Sequence, residues 1–415
     1  PAGNYLKEFS EDYFTHRYST EWGEPFNFDG LNSAPVREFF LANVDYWIGE
    51  FHLDGLRLDA TQSIYDASET HILAEIVERV RRAGGGRSTY VVGENEPQNV
   101  TMLRPVADGG YGLDALWSDD FHHSAMVALT GHKEGYYSDY SGKPQEFISA
   151  AKRAYLYQGQ HYLWQRQRRG TSTRGLKPSA FIHYLQNHDQ VANVGRGLRV
   201  YELTAPGLHR AVTALFLLSP QTPLIFQGQE FAATSPFTFF ADHDPELARK
   251  VKEGRLEFLS QFPSLASRQM RRLLPDPSDP QVFQSCRLDP AEREKNRAIY
   301  DLHRDLLTLR RVDPVFKEAQ RPGAVDGAVL GDQMFALRFF AAEHAEDRLL
   351  LVNFGTDAEL SPVPEPLLAP PEGKQWRSLW SSEDPRYDGG GALPAESADG
   401  WSIPGRAAFV FVAFI

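Results

Sequence analysis

The feature that most constrains the fold is a repeated pattern in the first 230 residues, where five apolar runs each end in polar side chains. Between these runs, apolar residues recur every three to four positions, which is the spacing of an amphipathic helix. Alternating strands and helices predict a parallel sheet. Polar groups at the C-terminal strand ends are typical of a (β/α)8 barrel, which builds its site there. The five predicted strands cover residues 51–59, 88–96, 113–121, 179–190 and 222–230.

The segments between and after these strands predict helices with identifiable ends. Ser68 is expected to cap one helix at its start and Gly84 to close it. In the helix before the first strand, an apolar stripe is expected to face the core, formed by Val36, Phe39, Phe40, Val44 and Trp47. The predicted helices cover residues 35–50, 68–86, 209–220 and 296–314.

The pattern changes near residue 319 to short strands separated by Gly, Pro and Asp turns. We therefore expect two domains: the C-terminal part of a barrel over residues 1–318, and a β-sandwich over residues 319–415. A closed barrel needs eight strands. Because five are found, we expect this chain to hold strands 4–8 and an upstream part of the same polypeptide to complete the barrel.

The net charge disfavours two classes of partner, and the cysteine content bears on the cellular compartment. The formal net charge is −12, whereas nucleic acids and anionic membranes are bound by surfaces rich in Lys and Arg. No apolar run is long enough to span a membrane. The single cysteine, Cys286, allows no internal disulfide, which favours a reducing compartment and a cytoplasmic location.

Three predicted strand ends deliver a carboxylic acid: Asp59, Glu94 and Asp189. Two carboxyl groups about 5 Å apart can perform retaining glycoside hydrolysis, one as nucleophile and the other as acid and then base. Arg57 shares a strand face with Asp59, and a guanidinium there would keep a nucleophile ionised and aimed. Partial burial after an apolar strand would raise the pKa of Glu94, as an acid catalyst requires. Each residue also has a structural reading, as a buried ion pair or a helix cap.

These residues lie in stretches that resemble three signature regions of the α-amylase superfamily, glycoside hydrolase family 13: DGLRLDA, VVGEN and LQNHDQ. The superfamily's Asn-His signature on the third strand is absent, and Gly93 stands where relatives often have Ala. No cofactor is implied, because side chains supply all the chemistry. Carried over by position, the resemblance implies Asp59 as nucleophile, Glu94 as general acid/base and Asp189 as transition-state stabiliser, with Arg57, His188 and Asn187 at the reacting sugar.

Within the superfamily, residues 59–76, 185–197 and 222–259 most resemble the subfamily that releases trehalose from maltooligosyl trehalose. The resemblance implies retaining cleavage of the α-1,4 bond next to the terminal trehalose, with maltooligosyl trehalose and related α-glucans as partners. A glycogen-branching or other α-glucan enzyme is one alternative. A non-catalytic sugar-binding homologue is another, disfavoured because all three acids are present.

Further substrate contacts are expected after the last barrel strand, from Gln229, Glu230, Phe239, Asp242 and His243. Aromatic rings that could stack on sugars, or equally pack in the core, are Trp22, Tyr65, Phe226, Phe237, Phe239 and Phe240. His122 and His123 fit no zinc spacing and are expected in a loop, so no metal site is predicted. The basic run at 166–175 is expected to be a solvated surface loop.

Overall fold

The computed structural model describes residues 5–20, 23–341, 346–397 and 400–414. Its first part is built on a parallel sheet of five strands in the order β1-β2-β3-β6-β7, and a short hairpin, β4–β5, lies outside that sheet. This is the predicted arrangement, and it is the parallel part of a (β/α)8 barrel. The strands are β1 Gly55–Leu58, β2 Tyr90–Gly93, β3 Ala115–Trp117, β4 His161–Tyr162, β5 Gln167–Arg168, β6 Phe181–Tyr184 and β7 Thr222–Leu224.

The sheet is curved, and different groups of side chains cover its two faces. Tyr90 at the start of β2 reaches the side chain of Thr222 at the start of β7, although two strands lie between them. Apolar helices cover the outer face. The inner face carries its own cluster of side chains, formed by Val92, Ala115, Trp117, Ile182 and Tyr184.

The helices alternate with these strands, as the sequence predicts. Among them, α2, α3, α4 and α7 separate or flank the strands of the parallel sheet. None of the described helices is both long and apolar enough to cross a membrane. The α-helices are α1 Leu6–Phe9, α2 Ser33–Val44, α3 Ile72–Ala83, α4 Asp119–Thr130, α5 Pro144–Arg153, α6 His188–Ala192, α7 Pro206–Leu218, α8 Pro245–Leu259, α9 Pro263–Ala266, α10 Arg268–Arg271, α11 Pro280–Ser285, α12 Glu292–Lys295, α13 Arg297–Val312 and α14 Pro314–Glu318.

The region before β1 departs from prediction. Helix α2 ends at Val44 and continues as a π-helical segment over Asp45–Glu50. The strand begins at Gly55 rather than at residue 51, because His52 has a positive φ of 56° that interrupts extended backbone. Of the predicted apolar stripe, Phe39 and Trp47 are exposed, since each packs on a neighbouring aromatic ring rather than in the core.

Helix α3 starts later than predicted. Its cap is His71, whose Nδ1 accepts from the Leu73 N–H at 3.2 Å, so the assignment of Ser68 is wrong. The reason is Asp66, whose carboxylate folds back over this turn and accepts from the Ile72 N–H at 2.6 Å. Gly84 closes the helix, as predicted.

The C-terminal part is all β, as predicted. A five-stranded antiparallel sheet, β12-β15-β10-β9-β8, packs through one face on a three-stranded sheet, β11-β14-β13. Its other face packs on α5 and α7, where Phe147 stacks on Phe335 with centroids 5.7 Å apart. The division at residues 318 and 319 stays a prediction. The strands are β8 Val325–Gly331, β9 Met334–Phe339, β10 Arg348–Asn353, β11 Ala358–Leu360, β12 Gln375–Ser381, β13 Ala395–Ser397, β14 Gly400–Ile403 and β15 Ala407–Phe414.

Candidate active site

The C-terminal end of β1 presents Arg57 and Asp59 together. The Arg57 guanidinium donates to the Asp59 carboxylate, and its Cζ lies 4.4 Å from the centroid of the Trp117 ring. The Asp59 side chain is 73% exposed, whereas that of Arg57 is mostly buried. The stacked, partly buried guanidinium therefore fixes the direction of an accessible carboxylate.

Glu94 follows β2 and lies on the other side of the same guanidinium. Its Oε2 is 3.8 Å from Arg57 Nη2 and accepts from the Ala60 N–H at 2.6 Å. Ala60 points this N–H at the carboxylate because its backbone is left-handed, with φ at 42°, a strained conformation for a residue with a Cβ. Arg57 thus bridges two carboxyl groups from neighbouring strands.

The environment of Glu94 favours its protonated form. Burial is the largest cause and raises the pKa of Glu94 to about 7. The nearby carboxylates of Asp119 and Asp59 act in the same direction, while the Ala60 N–H and Arg57 act against it. A carboxyl group that titrates near neutral pH can give a proton and later take one back.

Asp189 follows β6. Its neighbour His188 contacts Trp117, the ring on which Arg57 lies. Asp189 lies in the first turn of α6, where its Oδ2 is 3.2 Å from His188 Nε2. The His188 ring contacts Trp117 edge-on, with centroids 6.1 Å apart. Because Trp117 contacts both Arg57 and His188, it connects the β1 and β6 parts of the site. Asn187 is buried and caps α6, its Oδ1 accepting from the Gln190 N–H at 2.8 Å.

Of the residues predicted after the last barrel strand, Phe239 is tied to this site. The Arg255 guanidinium lies over the Phe239 ring at 4.4 Å and donates to Asn193 Oδ1 at 3.2 Å, next to the end of α6. Asp242 and His243 are exposed just before α8.

Gln229 and Glu230 lie elsewhere. Gln229 is fully buried, and its side-chain amide has no hydrogen-bond partner among the described residues. Glu230 lines a groove of about 810 Å³ with Arg293 and Tyr300, next to α13. The described contacts do not join either residue to the three acids, and their role in binding stays a prediction.

Most of the other predicted aromatic residues pack on each other. Tyr65 stacks on Tyr18 with centroids 4.8 Å apart. Phe237 contacts Phe226 and Phe240 edge-on. Trp22 lies outside the described residues.

The expectation about the two histidines is wrong, whereas the basic run at 166–175 is mostly exposed, as expected, except at Arg169 and Thr173. His122 and His123 are buried inside α4 rather than in a loop, where His122 Nδ1 meets Leu185 O at 2.6 Å and Nε2 meets the Tyr137 hydroxyl at 3.0 Å. In the basic run, Arg169 is buried, because its guanidinium pairs with acids of α4. The described part of the chain holds no group of three His, Cys, Asp or Glu placed to bind a metal.

Two curated relatives match long stretches of this chain. The chain is 37% identical over 396 residues to the malto-oligosyltrehalose trehalohydrolase of Deinococcus radiodurans, covering 92% of this chain and 63% of the relative. It is 41% identical over 256 residues to that of Saccharolobus solfataricus, covering 61% and 45%. The chain is therefore similar over nearly all of its length to malto-oligosyltrehalose trehalohydrolases. It spans about three fifths of the Deinococcus relative's length and less than half of the Saccharolobus one's.

Two solved structures and one family model are also similar to this chain. A solved protein described as a “putative alpha amylase” from Salmonella typhimurium superposes with a TM-score of 0.82 at 28% identity, covering 100% of this chain and 66% of that one. The alpha-amylase of H. orenii, at 16% identity and a TM-score of 0.54, shows the shared fold alone, with 96% and 70% covered. Residues 322–401 match a family model described as a domain of unknown function, DUF3459.

Sequence reasoning did not identify Asp119, Arg169 or Arg255 as residues near the candidate site. Asp119 is the second residue after β3, and its sequence signal was the polar stretch SDD after the apolar run ALW. Arg255 lies in the GRLEF stretch that carries the family resemblance. Arg169 had no local signal, because its burial depends on the β4–β5 hairpin folding over α4.

Proposed function

We propose that this chain carries the catalytic acids of a retaining glycoside hydrolase that releases trehalose from maltooligosyl trehalose. The observation that carries the proposal is the bridge made by Arg57, whose guanidinium donates to Asp59 and lies 3.8 Å from Glu94. Two carboxyl groups on either side of one guanidinium suit the retaining mechanism, in which they are about 5 Å apart.

In the proposed first step, an Asp59 carboxylate oxygen attacks the anomeric carbon of the glucose next to the trehalose unit. Glu94 gives its proton to the glycosidic oxygen as the carbon–oxygen bond breaks, and trehalose leaves with that oxygen as a hydroxyl group. A pKa near 7 for Glu94 suits this proton transfer at neutral pH.

In the second step, Glu94 is a carboxylate and takes a proton from water. The water oxygen bonds to the anomeric carbon, and the ester bond to Asp59 breaks to restore the free carboxylate. His188 and Asp189, which contact each other at 3.2 Å, would stabilise the positive charge that develops on the sugar ring in both steps.

The choice of maltooligosyl trehalose rests on the names of the curated relatives, two of which share 37% and 41% identity with this chain. We place the leaving trehalose near Phe239, Asp242 and His243, because Phe239 and Arg255 adjoin the end of α6. We further propose that an upstream part of the same polypeptide packs against β1 and β7, the two ends of the parallel sheet. A cytoplasmic location also stays a proposal.

The test uses the purified protein, expressed with any upstream part that its gene encodes. It is incubated with maltooligosyl trehalose and, separately, with an unmodified maltooligosaccharide of equal length, and products are separated by chromatography. We expect rapid release of trehalose from the first substrate and little cleavage of the second. Equal cleavage of both, or branched products, would reject the trehalose-specific function and favour an amylase or branching activity.

A further inference from the structure

Asp119 lies beside the proposed acid/base but has no part in the reaction as described so far. Strands β2 and β3 are neighbours, with Gly93 in register with Leu116. The residues that follow each strand therefore leave the sheet side by side. Glu94 is the first residue after β2, and Asp119 is the second after β3, as well as the first residue of α4.

Three positively polarised groups lie next to the Asp119 carboxylate. The Tyr184 hydroxyl, from the inner face of β6, donates to its Oδ1. Arg169 Nη2 lies 3.4 Å from its Oδ2. The N-terminal end of α4 also stabilises an anion in its first turn.

The adjacent acid has a different role. Asp120 is fully buried and accepts from the Tyr140 hydroxyl at 2.6 Å and from the Leu156 N–H at 2.6 Å. It thereby ties α4 to the chain after α5. The Asp119 side chain is partly exposed at the strand ends. Because Asp120 already anchors α4, this structural role does not account for Asp119.

Arg169, which directly follows the β4–β5 hairpin, is held by contacts outside it. It is almost fully buried, its Nη1 donates to the Tyr140 hydroxyl at 2.8 Å, and its Nε donates to the Glu96 carbonyl at 3.0 Å. The Arg169 guanidinium thus joins the loop after β2, two residues beyond Glu94, to Asp119 at the start of α4.

We propose that Asp119 is a positioning residue for the acid/base, because Tyr184 and Arg169 hold its carboxylate at the strand end next to that of Glu94. This inference rests on the proposed function. It makes Asp119 one of the groups that set the pH range in which the enzyme works. The other charged or titratable groups that face Glu94 are Arg57 and Asp59 from β1 and Tyr184 from β6. Burial remains the largest cause of the raised pKa of Glu94, and the Asp119 charge adds to it.

The test is Asp119→Asn in the same full-length protein, with Glu96→Gln as the matched control. The control removes a carboxylate from the loop after β2, where it accepts from Gln165 at 2.8 Å. Two readouts are measured: the pH dependence of kcat/KM, and the titration of the Glu94 carboxyl carbon by ¹³C NMR, assigned with Glu94→Gln. The second readout does not depend on any activity.

We expect Asp119→Asn to move the alkaline limb of kcat/KM, and the Glu94 titration, about one pH unit lower, because a nearby like charge is removed. Asp119→Glu should restore most of that change, and Glu96→Gln should cause none. A folded Asp119→Asn protein with an unchanged Glu94 titration overturns the inference. If that variant does not fold by circular dichroism, Asp119→Ser, whose hydroxyl can still bond to Tyr184, replaces it with the same expectation.

Failure of the proposed function gives a different result. A protein that cleaves no glucan would reject that function, while the NMR titration would still report whether Asp119 acts on Glu94.

Discussion

Glu94→Gln should make the protein more stable at alkaline pH, because the fold opposes a charge at this position. The Glu94 side chain is 23% exposed, and its pKa is raised from 4.5 to about 7. The folded protein therefore holds the proton more tightly than the unfolded chain does. This contribution to stability is complete below about pH 4.5 and is lost as the pH rises through about 7.

The size of the effect follows from the difference between the two pKa values. That difference is about 2.5 pH units, or about 3 kcal/mol at about 1.4 kcal/mol per unit. Glutamine carries no charge at any pH and can still accept from the Ala60 N–H. We therefore expect the free energy of unfolding of Glu94→Gln to exceed that of the parent by up to about 3 kcal/mol at about pH 9, and to equal it near about pH 4.

Urea unfolding of both proteins at the two pH values, followed by circular dichroism, measures this difference. Glu96→Gln is the control for the loss of one negative charge from the same loop, and its effect should not change with pH in this way. A Glu94→Gln protein less stable than the parent at alkaline pH would refute the reasoning. A gain of equal size at both pH values would refute it too.

Three further predictions test other parts of the structure. Asp59→Asn should lose activity by several orders of magnitude without lowering Tm in calorimetry, because its carboxylate is 73% exposed. Arg57→Lys should lower kcat/KM about 100-fold, since an ammonium cannot bridge two carboxyl groups as a guanidinium does; near-parental kinetics would contradict this. Arg210→Met should lower the free energy of unfolding, measured in urea, by about 3 kcal/mol. Glu383 lies 2.7 Å from Arg210 Nη2, and the substitution leaves this mostly buried carboxylate without its partner. Adding Glu383→Gln should restore part of that loss.

The sequence predicted the order of the elements well because each parallel strand is short, apolar and followed by polar residues. It predicted the start of the first strand poorly. The alternation of Phe51 and Leu53 is typical of a strand, yet both are exposed, because the turn at His52 delays pairing until Gly55. A positive φ at a non-glycine residue leaves no local signal, so this error could not be avoided from pattern alone.

The sequence placed Asp59 and Glu94 at the ends of two predicted strands, and the structure has them directly after β1 and β2. Asp189 lies five residues after β6, inside α6, and the catalytic roles of all three acids stay predictions. Arg169 and Arg255 could not be found in this way. Arg169 is separated from Glu94 by 75 residues and reaches the loop after β2 only because the β4–β5 hairpin folds back. Arg255 reaches α6 from a helix that follows the last barrel strand. Such contacts depend on the tertiary path of long connections, which local periodicity does not encode.

The packing of the β-sandwich on α5 and α7 limits how far the two parts of this chain can be treated as exchangeable modules. One continuous apolar cluster includes Phe147 and Leu215 from the helices together with Phe335 and Val410 from the sandwich. A large apolar interface of this kind opposes independent movement and independent unfolding. Truncation before β8 would expose the apolar residues of α5 and α7 that face the sandwich and would invite aggregation. A chimaera with a sandwich from one of the relatives would have to exchange the facing surfaces of α5 and α7 with it.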